Sequence, residues 1–174
     1  VAEGYDYEII KKAYRPQDDL SLLVTLKANG TIEKTVIGSL AESLTVDRHD
    51  ADDWGRLKEI FASDTLQMVS FTITEKGYSI TSPDGAFRAD VKADFEAGPE
   101  NADSYIGKLA ALCYWRYTQG AAPLALVSMD NCSHNGEKLQ ASVMTVAKAW
   151  LEKGFVGQDF IDYLSDETKI TFPW

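Results

Sequence analysis

The sequence predicts an α/β domain: an open, mainly parallel sheet with helical crossovers and added β-hairpins. Three observations predict it. Two short apolar runs, "LQMVSFTI" (66–73) and "PLALVSM" (123–129), have the length and bulk of buried strands. A long amphipathic helical pattern follows the second run, and a further strand, "TKITF", follows that. Buried strand, helix, buried strand, helix, strand is the rhythm of parallel strands joined by helices. The 174 residues suffice for one domain with a sizeable core.

The elements follow in chain order. Residues 3–14, "EGYDYEIIKKAY", are expected to form a short helix with Ile9, Ile10 and Ala13 on its apolar side. Pro16 should stop it, because a residue before proline is pushed away from helical angles. The run "LSLLVTLKANGTIEKTVIGSL" places β-rich segments on either side of Asn29-Gly30. That dipeptide tolerates positive φ at both turn positions, so a two-residue hairpin is expected.

Residues 51–62 put Trp54, Leu57, Ile60 and Phe61 on one helical face. Asp50, Asp52 and Asp53 lie near its start, where the helix dipole favours negative charge. "GYSITSPDGAFRAD" reads as a second hairpin around Pro83-Asp84-Gly85. A helix over 103–118 carries the stripe Ile106, Leu109, Ala110, Cys113 and Tyr117. The strongest helix, 136–153, has Leu139, Val143, Val146, Ala147, Trp150 and Leu151 on one face, and a short helix near 157–164 follows it.

Composition narrows the function. A net charge of -10 argues against nucleic-acid partners, which need a basic face, and against anionic membrane surfaces. No apolar run approaches a membrane span of ~20 residues. Cys113 and Cys132 do not form a disulfide framework; reduced thiols in the cytoplasm are the simplest reading. The chain starts at Val1 and stops at "ITFPW", within an apparent strand, so a piece of a longer protein is expected.

Ligands of open α/β sheets bind beyond the carboxyl ends of the strands. Two segments qualify: "TITEKGY" (72–78) and "SMDNCSHNGEKL" (128–139). In the second, Asn135 is expected to cap the long helix, Gly136 to allow close backbone approach, and Glu137 to complement the helix dipole. Asp130 and Asn131 have two readings. They could hold the loop through an Asx-type turn. Equally, an amide at a strand end could steady a developing negative oxygen. Cys132 and His134 fall short of a metal site on ligand count. His49 lies in a polar stretch and reads as a solvated surface residue. Thr74 and Glu75 are either ligand contacts or plain loop polarity.

"VSMDNCSHNGEKL" resembles the strand–"S-x-D-N-x-x-x-N-G"–helix segment of the polyol-specific long-chain dehydrogenases, the mannitol dehydrogenase family. "SFTITEKGY", "RPQDDLSLLVTL", "VIGSL" and "FPW" are similar to other segments of that family, in the same order. The resemblance implies a Rossmann-like domain of an NAD(P)-dependent enzyme that interconverts a sugar alcohol or aldonate and its keto form. NAD is the expected cofactor, with NADP possible. The substrate would be a small polyol or aldonate, mannitol or mannonate, and no metal would be needed. No G-x-G-x-x-G occurs here, and the family's catalytic lysine belongs to a separate helical domain. Residues 1–174 would thus be part of the nucleotide-binding domain, lacking the glycine-rich turn and the helical domain, and inactive alone.

Carried over by residue, Asn131 would help form the hole for the substrate oxygen. Ser128 and Asp130 would line the nicotinamide side of the cleft, with Thr74 and Glu75 at the adjacent strand end. The competing readings are an α/β ligand- or partner-binding module without chemistry, and another nucleotide-dependent enzyme such as a methyltransferase.

Overall fold

The computed structural model describes residues 1–173; within that range the side chain of Glu75 is not described. Trp174, part of the "FPW" resemblance, lies outside the described residues. The chain divides into two compact units, Val1–Trp54 and Gly55–Trp174.

In the first unit, β1 (Ala2–Glu3) pairs in parallel with β4 (Leu44–Thr45). The expected first helix is shorter and less regular than its sequence pattern. α1 (Tyr7–Ile9) opens with Asp6 accepting a bond from the Glu8 N–H, continues as a π-helical turn (Ile10–Tyr14), and ends in a 3-10 turn (Arg15–Gln17). Pro16 does not stop it. Proline lies in the first turn of the 3-10 segment, where its missing N–H is not needed. The stop comes at Asp18 and Asp19, which take left-handed φ of 51° and 59°. Arg15 keeps helical angles before the proline because its side chain is anchored. Its Nε and Nη2 donate to the Ser43 carbonyl at 3.2 and 3.0 Å, and Nη2 reaches the Asp53 carboxylate at 2.6 Å. Burial raises the pKa of Asp53, but hydrogen bonds from Arg15 and Thr45 outweigh it and leave the carboxyl below its usual range.

β2 (Ser21–Leu26) and β3 (Ile32–Ile37) form the expected antiparallel hairpin. Its turn is not the expected two-residue type. Lys27 and Thr31 still bond across the strands, the Gly30 N–H donates to the Lys27 carbonyl, and Gly30 takes φ +82°. A three-residue loop, a turn closed by a left-handed glycine, uses one positive-φ position and leaves Asn29 free to accept from the Thr31 N–H at 3.0 Å.

α2 (Ala51–Ala62) follows its sequence pattern, with Leu57 and Phe61 buried. The second unit is built on a three-stranded parallel sheet, β5 (Met68–Phe71), β6 (Leu124–Ser128) and β7 (Ile170–Thr171), with β6 in the middle. β6 alternates buried and half-buried residues. β5, read as buried, is half open: Met68 is 57% exposed and only Phe71 is buried.

Between β5 and β6 lie α3 (Thr74–Tyr78), α4 (Ala89–Ala97) and α5 (Tyr105–Thr118). The second hairpin is only a turn with a single bridge, Thr81 to Phe87, around Gly85 at φ +82°. α3 and α4 are not evident from sequence. α3 is five residues long, and α4 buries only Val91 and Asp94, too few to make a stripe. α5 is buried on all sides from Ile106 to Cys113, with Ser104 capping it through the Gly107 N–H. α6 (Asn135–Glu152) buries Leu139, Val143, Val146, Ala147 and Trp150 of its expected stripe, with Leu151 half-buried. α7 (Gln158–Ser165) adds Phe160, Ile161, Tyr163 and Leu164 to the core.

A buried cation organises the amino ends of the strands. Arg116 of α5 is 1% exposed. Nε donates to the Ala122 carbonyl, Nη1 to those of Phe61 and Ser63, and Nη2 to those of Leu66 and Pro123, at 2.6–2.9 Å. Every guanidinium N–H is thereby used. Arg116→Leu should lower stability by about 3 kcal/mol or more, because several buried carbonyls lose their donors at once. Urea unfolding checks this through a lower midpoint at unchanged slope.

Candidate active site

The carboxyl ends of β5 and β6 are adjacent, with Phe71 in register with Ser128 and the Met129 N–H donating to the Phe71 carbonyl at 2.9 Å. Each strand leads into a tight turn and then a helix. After β5 the chain turns at Thr72-Ile73 into α3, where Thr74 takes φ +59°. That conformation is unfavourable for a β-branched residue. After β6 it runs through 129–134 into α6, with His134 at φ +55° before the first helical residue.

One side chain joins the two turns. The Asp130 carboxylate accepts from the Ile73 N–H at 2.9 Å, the Thr74 N–H at 3.1 Å and the Tyr78 hydroxyl at 2.5 Å. The bond to the Thr74 amide supports the strained backbone at that point. Burial acts to raise the pKa of Asp130, but the three donors outweigh it and hold the group below the usual carboxylate range. Tyr78 is 2% exposed. Burial, then the Asp130 carboxylate, push its pKa up to about 12, so it remains a donor. The Ser128 hydroxyl pulls Tyr78 the other way, yet Ser128 Oγ is buried and without a hydrogen-bond partner among the described residues. It thus lies beside the phenol at a geometry short of a hydrogen bond.

The backbone of 128–130 is held from the other side by Asn135. Its Nδ2 donates to the Asp130 carbonyl at 2.6 Å and the Ser128 carbonyl at 3.4 Å. The expected role of Asn135 as a cap is therefore corrected. It is the first residue of α6, preceded by His134, which makes no side-chain cap bond; among the described residues Asn135 Oδ1 accepts from the adjacent Gly136 N–H alone, at 2.8 Å. A buried position facing two strand-end carbonyls uses its amide as a donor instead. Tyr78 is tied in turn to α6 by Ser142 Oγ, which donates to the Tyr78 carbonyl at 2.7 Å. Gly77 is needed in α3, since a Cβ there would lie 2.8 Å from Ile73 Cβ.

The structure thus brings together Ser128, Asp130 and Thr74 of the expected site residues. Asn131 follows directly and is exposed, with no hydrogen bond to its side chain among the described residues. Glu75 lies in α3, with its side chain outside the described ones. Tyr78 was not singled out from sequence. Its signal was its spacing, four residues after Thr74, which stacks the two on one helical face only if the "TITEKGY" loop is helical. Among the described residues no three His, Cys, Asp or Glu side chains converge as a metal site. Nor is any helix long and apolar enough to cross a membrane.

No family model matches the chain. It is 47% identical over 174 residues to the D-mannonate oxidoreductase of Thermotoga maritima, a match that covers 100% of this chain and 32% of that protein. Along its length the chain is similar to enzymes of the mannitol dehydrogenase family. A polyol:NADP oxidoreductase of Gluconobacter oxydans is 32% identical over 155 residues, covering 82% of this chain and 31% of that protein. Among solved structures, a substrate-free D-sorbitol dehydrogenase matches with a TM-score of 0.73 and 26% identity, over 95% of this chain and 32% of that one. The Pseudomonas fluorescens mannitol 2-dehydrogenase, in a ternary complex with NAD and D-mannitol, matches with a TM-score of 0.68 and 27% identity, over 90% of this chain and 30% of that one. These likenesses identify the parallel sheet and its crossovers as Rossmann-type. The chain spans about a third of the length of these family relatives.

Two measurements test the site as described. The stability that Asp130 contributes should be fully present above the ordinary carboxylate pKa of about 4 and be lost as pH falls through its lower folded-state value. The urea-midpoint gap between wild type and Asp130→Asn should therefore be wider at pH 6 than in strong acid; a gap independent of pH would contradict the ionised clamp. Of the two free thiols, Cys113 is wholly buried and pushed by burial to about 12, against the opposing charge of Arg116, whereas Cys132 is partly exposed. Iodoacetamide should modify Cys132 in the native protein and reach Cys113 only after denaturation.

Proposed function

We propose that the chain is part of the nucleotide-binding domain of an NAD(P)-dependent oxidoreductase acting on an aldonate or sugar alcohol. D-mannonate and its keto form, fructuronate, are the first candidates. The observation that carries this is the 47% identity with a D-mannonate oxidoreductase along the whole of this chain. The mannitol/fructose pair is the second reading, supported by the structural likeness to a mannitol 2-dehydrogenase bound to D-mannitol. Absence of turnover on both would favour a binding module instead. A cytoplasmic setting is consistent with the free cysteines.

The strand-end residues suit the nicotinamide end of a dinucleotide. Exposed Thr74 and Asn131 and the unpartnered, buried Ser128 Oγ all lie at the carboxyl edge of a parallel sheet, where such ligands bind. NAD is the proposed cofactor, with NADP as its variant, and it supplies hydride transfer when bound. The chain has no G-x-G-x-x-G turn, so the pyrophosphate would be held by residues other than these.

Asn131 would donate its amide N–H to the substrate oxygen as that oxygen gains negative charge. Its side chain is exposed and uncommitted, while the preceding backbone is held by Asn135. Ser128 and Thr74 would border the nicotinamide, with Glu75 and Asp130 at the same strand ends. The family resemblance assigns the base that takes the hydroxyl proton to a lysine outside these residues.

In the full-length protein, Asn131→Ala should lower kcat roughly a hundred- to a thousandfold, the cost of losing one donor to a developing oxyanion. Its melting temperature should be nearly unchanged. Asn135→Ala should instead lower the melting temperature, since it frees the carbonyls of Ser128 and Asp130. Reduced-cofactor absorbance with mannonate and mannitol, beside thermal melts, reads both; the reverse pattern would refute these roles.

A further inference from the structure

We propose that Asp130 is a positioning residue that sets the spacing between the two strand-end turns, and does not itself contact the cofactor. This rests on the oxidoreductase reading above. The Asp130 carboxylate is already occupied by three protein donors, two backbone N–H groups and a phenol. An ionised carboxylate only accepts, so it has no proton to offer a ligand. Its partners are all at the exit of β5, more than fifty positions away in sequence.

The geometry makes residue 130 a fixed point. Its side chain is held to the β5 turn, and its carbonyl is held to α6 by Asn135 at 2.6 Å. Asn131, the next residue, leaves this point with its side chain exposed and unheld. Among the described residues no hydrogen bond holds the Asn131 side chain, so its placement depends on the backbone that Asp130 anchors. The same carboxylate holds Thr74 at φ +59° on the neighbouring strand end. One group therefore sets the two strand-end turns relative to each other.

Catalysis is sensitive to such spacing, because a misplacement of about 1 Å can cost on the order of a hundredfold in rate. In the full-length protein, Asp130→Asn turns an amide N–H toward groups that are themselves donors. We expect kcat per folded enzyme to fall by roughly a hundredfold, while KM for cofactor changes by less than about threefold. Tyr78→Phe removes one donor and keeps both backbone bonds, so its loss in kcat should be smaller, roughly tenfold. It also keeps the test open if Asp130→Asn fails to fold. Hydrogen exchange should show faster Ile73 and Thr74 amides in Asp130→Asn.

Asp94→Asn is the control. Asp94 is another buried carboxylate that accepts two backbone bonds, from Asp103 and Ser104, but it lies against Trp150 at the far end of α6. It should lower stability and leave kcat per folded enzyme unchanged. If wild type turns over and Asp130→Asn, or Tyr78→Phe where the former does not fold, keeps full kcat per folded enzyme, the positioning role is refuted and the function stands. A large rise in cofactor KM with unchanged kcat would also refute it, by making Asp130 a ligand contact. If wild type turns over neither mannonate nor mannitol with NAD or NADP, the function reading itself fails, and this inference with it.

Discussion

The parallel sheet of the second unit depends on one constraint: polar backbone at both ends of β5 and β6 must find partners away from the ladder. At the amino ends the partner is Arg116, whose guanidinium gathers carbonyls from the end of α2, the approach to β5 and the approach to β6. A buried charge is costly unless fully hydrogen-bonded. Here it is fully bonded, so the cost of burial is offset by satisfying backbone that would otherwise be stranded. The guanidinium's fixed planar fork also dictates where those segments lie, which a flexible ammonium would not.

The carboxyl ends use the opposite charge in the same manner. Asp130 gathers donors from the β5 exit as Arg116 gathers acceptors at the entry. The two differ in what they leave open: Arg116 is buried, whereas the Asp130 turn leads straight into exposed Asn131. The sheet is thus tied at its entry and tied again at its exit, which fixes the backbone on either side of the strand-end turns. Asn135 completes the frame by tying the 128–130 backbone to α6.

Periodicity carried much of the fold. The stripes of α2 and α6 were legible because their apolar positions recur at helical spacing, whereas α5 is buried all round, beyond the one stripe its spacing shows. The hairpin of β2 and β3 was legible from Asn29-Gly30, though its turn uses three residues. α3 and α4 were not, since one is too short for a period and the other buries too little.

By itself, the sequence determined the α/β rhythm, the strand-end position of "TITEKGY" and "SMDNCSHNGEKL", and, through its motifs, the family. These are local or linear properties: composition, period and residue order. Tertiary structure decided which polar groups in those segments are committed and which are open. It turned Asn135 from a cap into a tie, gave Tyr78 a part, and closed the Asp130 carboxylate onto Ile73, Thr74 and Tyr78 while leaving Asn131 exposed. For Asp130 the physical reason is that its partners lie more than fifty residues away in sequence. Only the register of β5 against β6 brings those donors within hydrogen-bond reach.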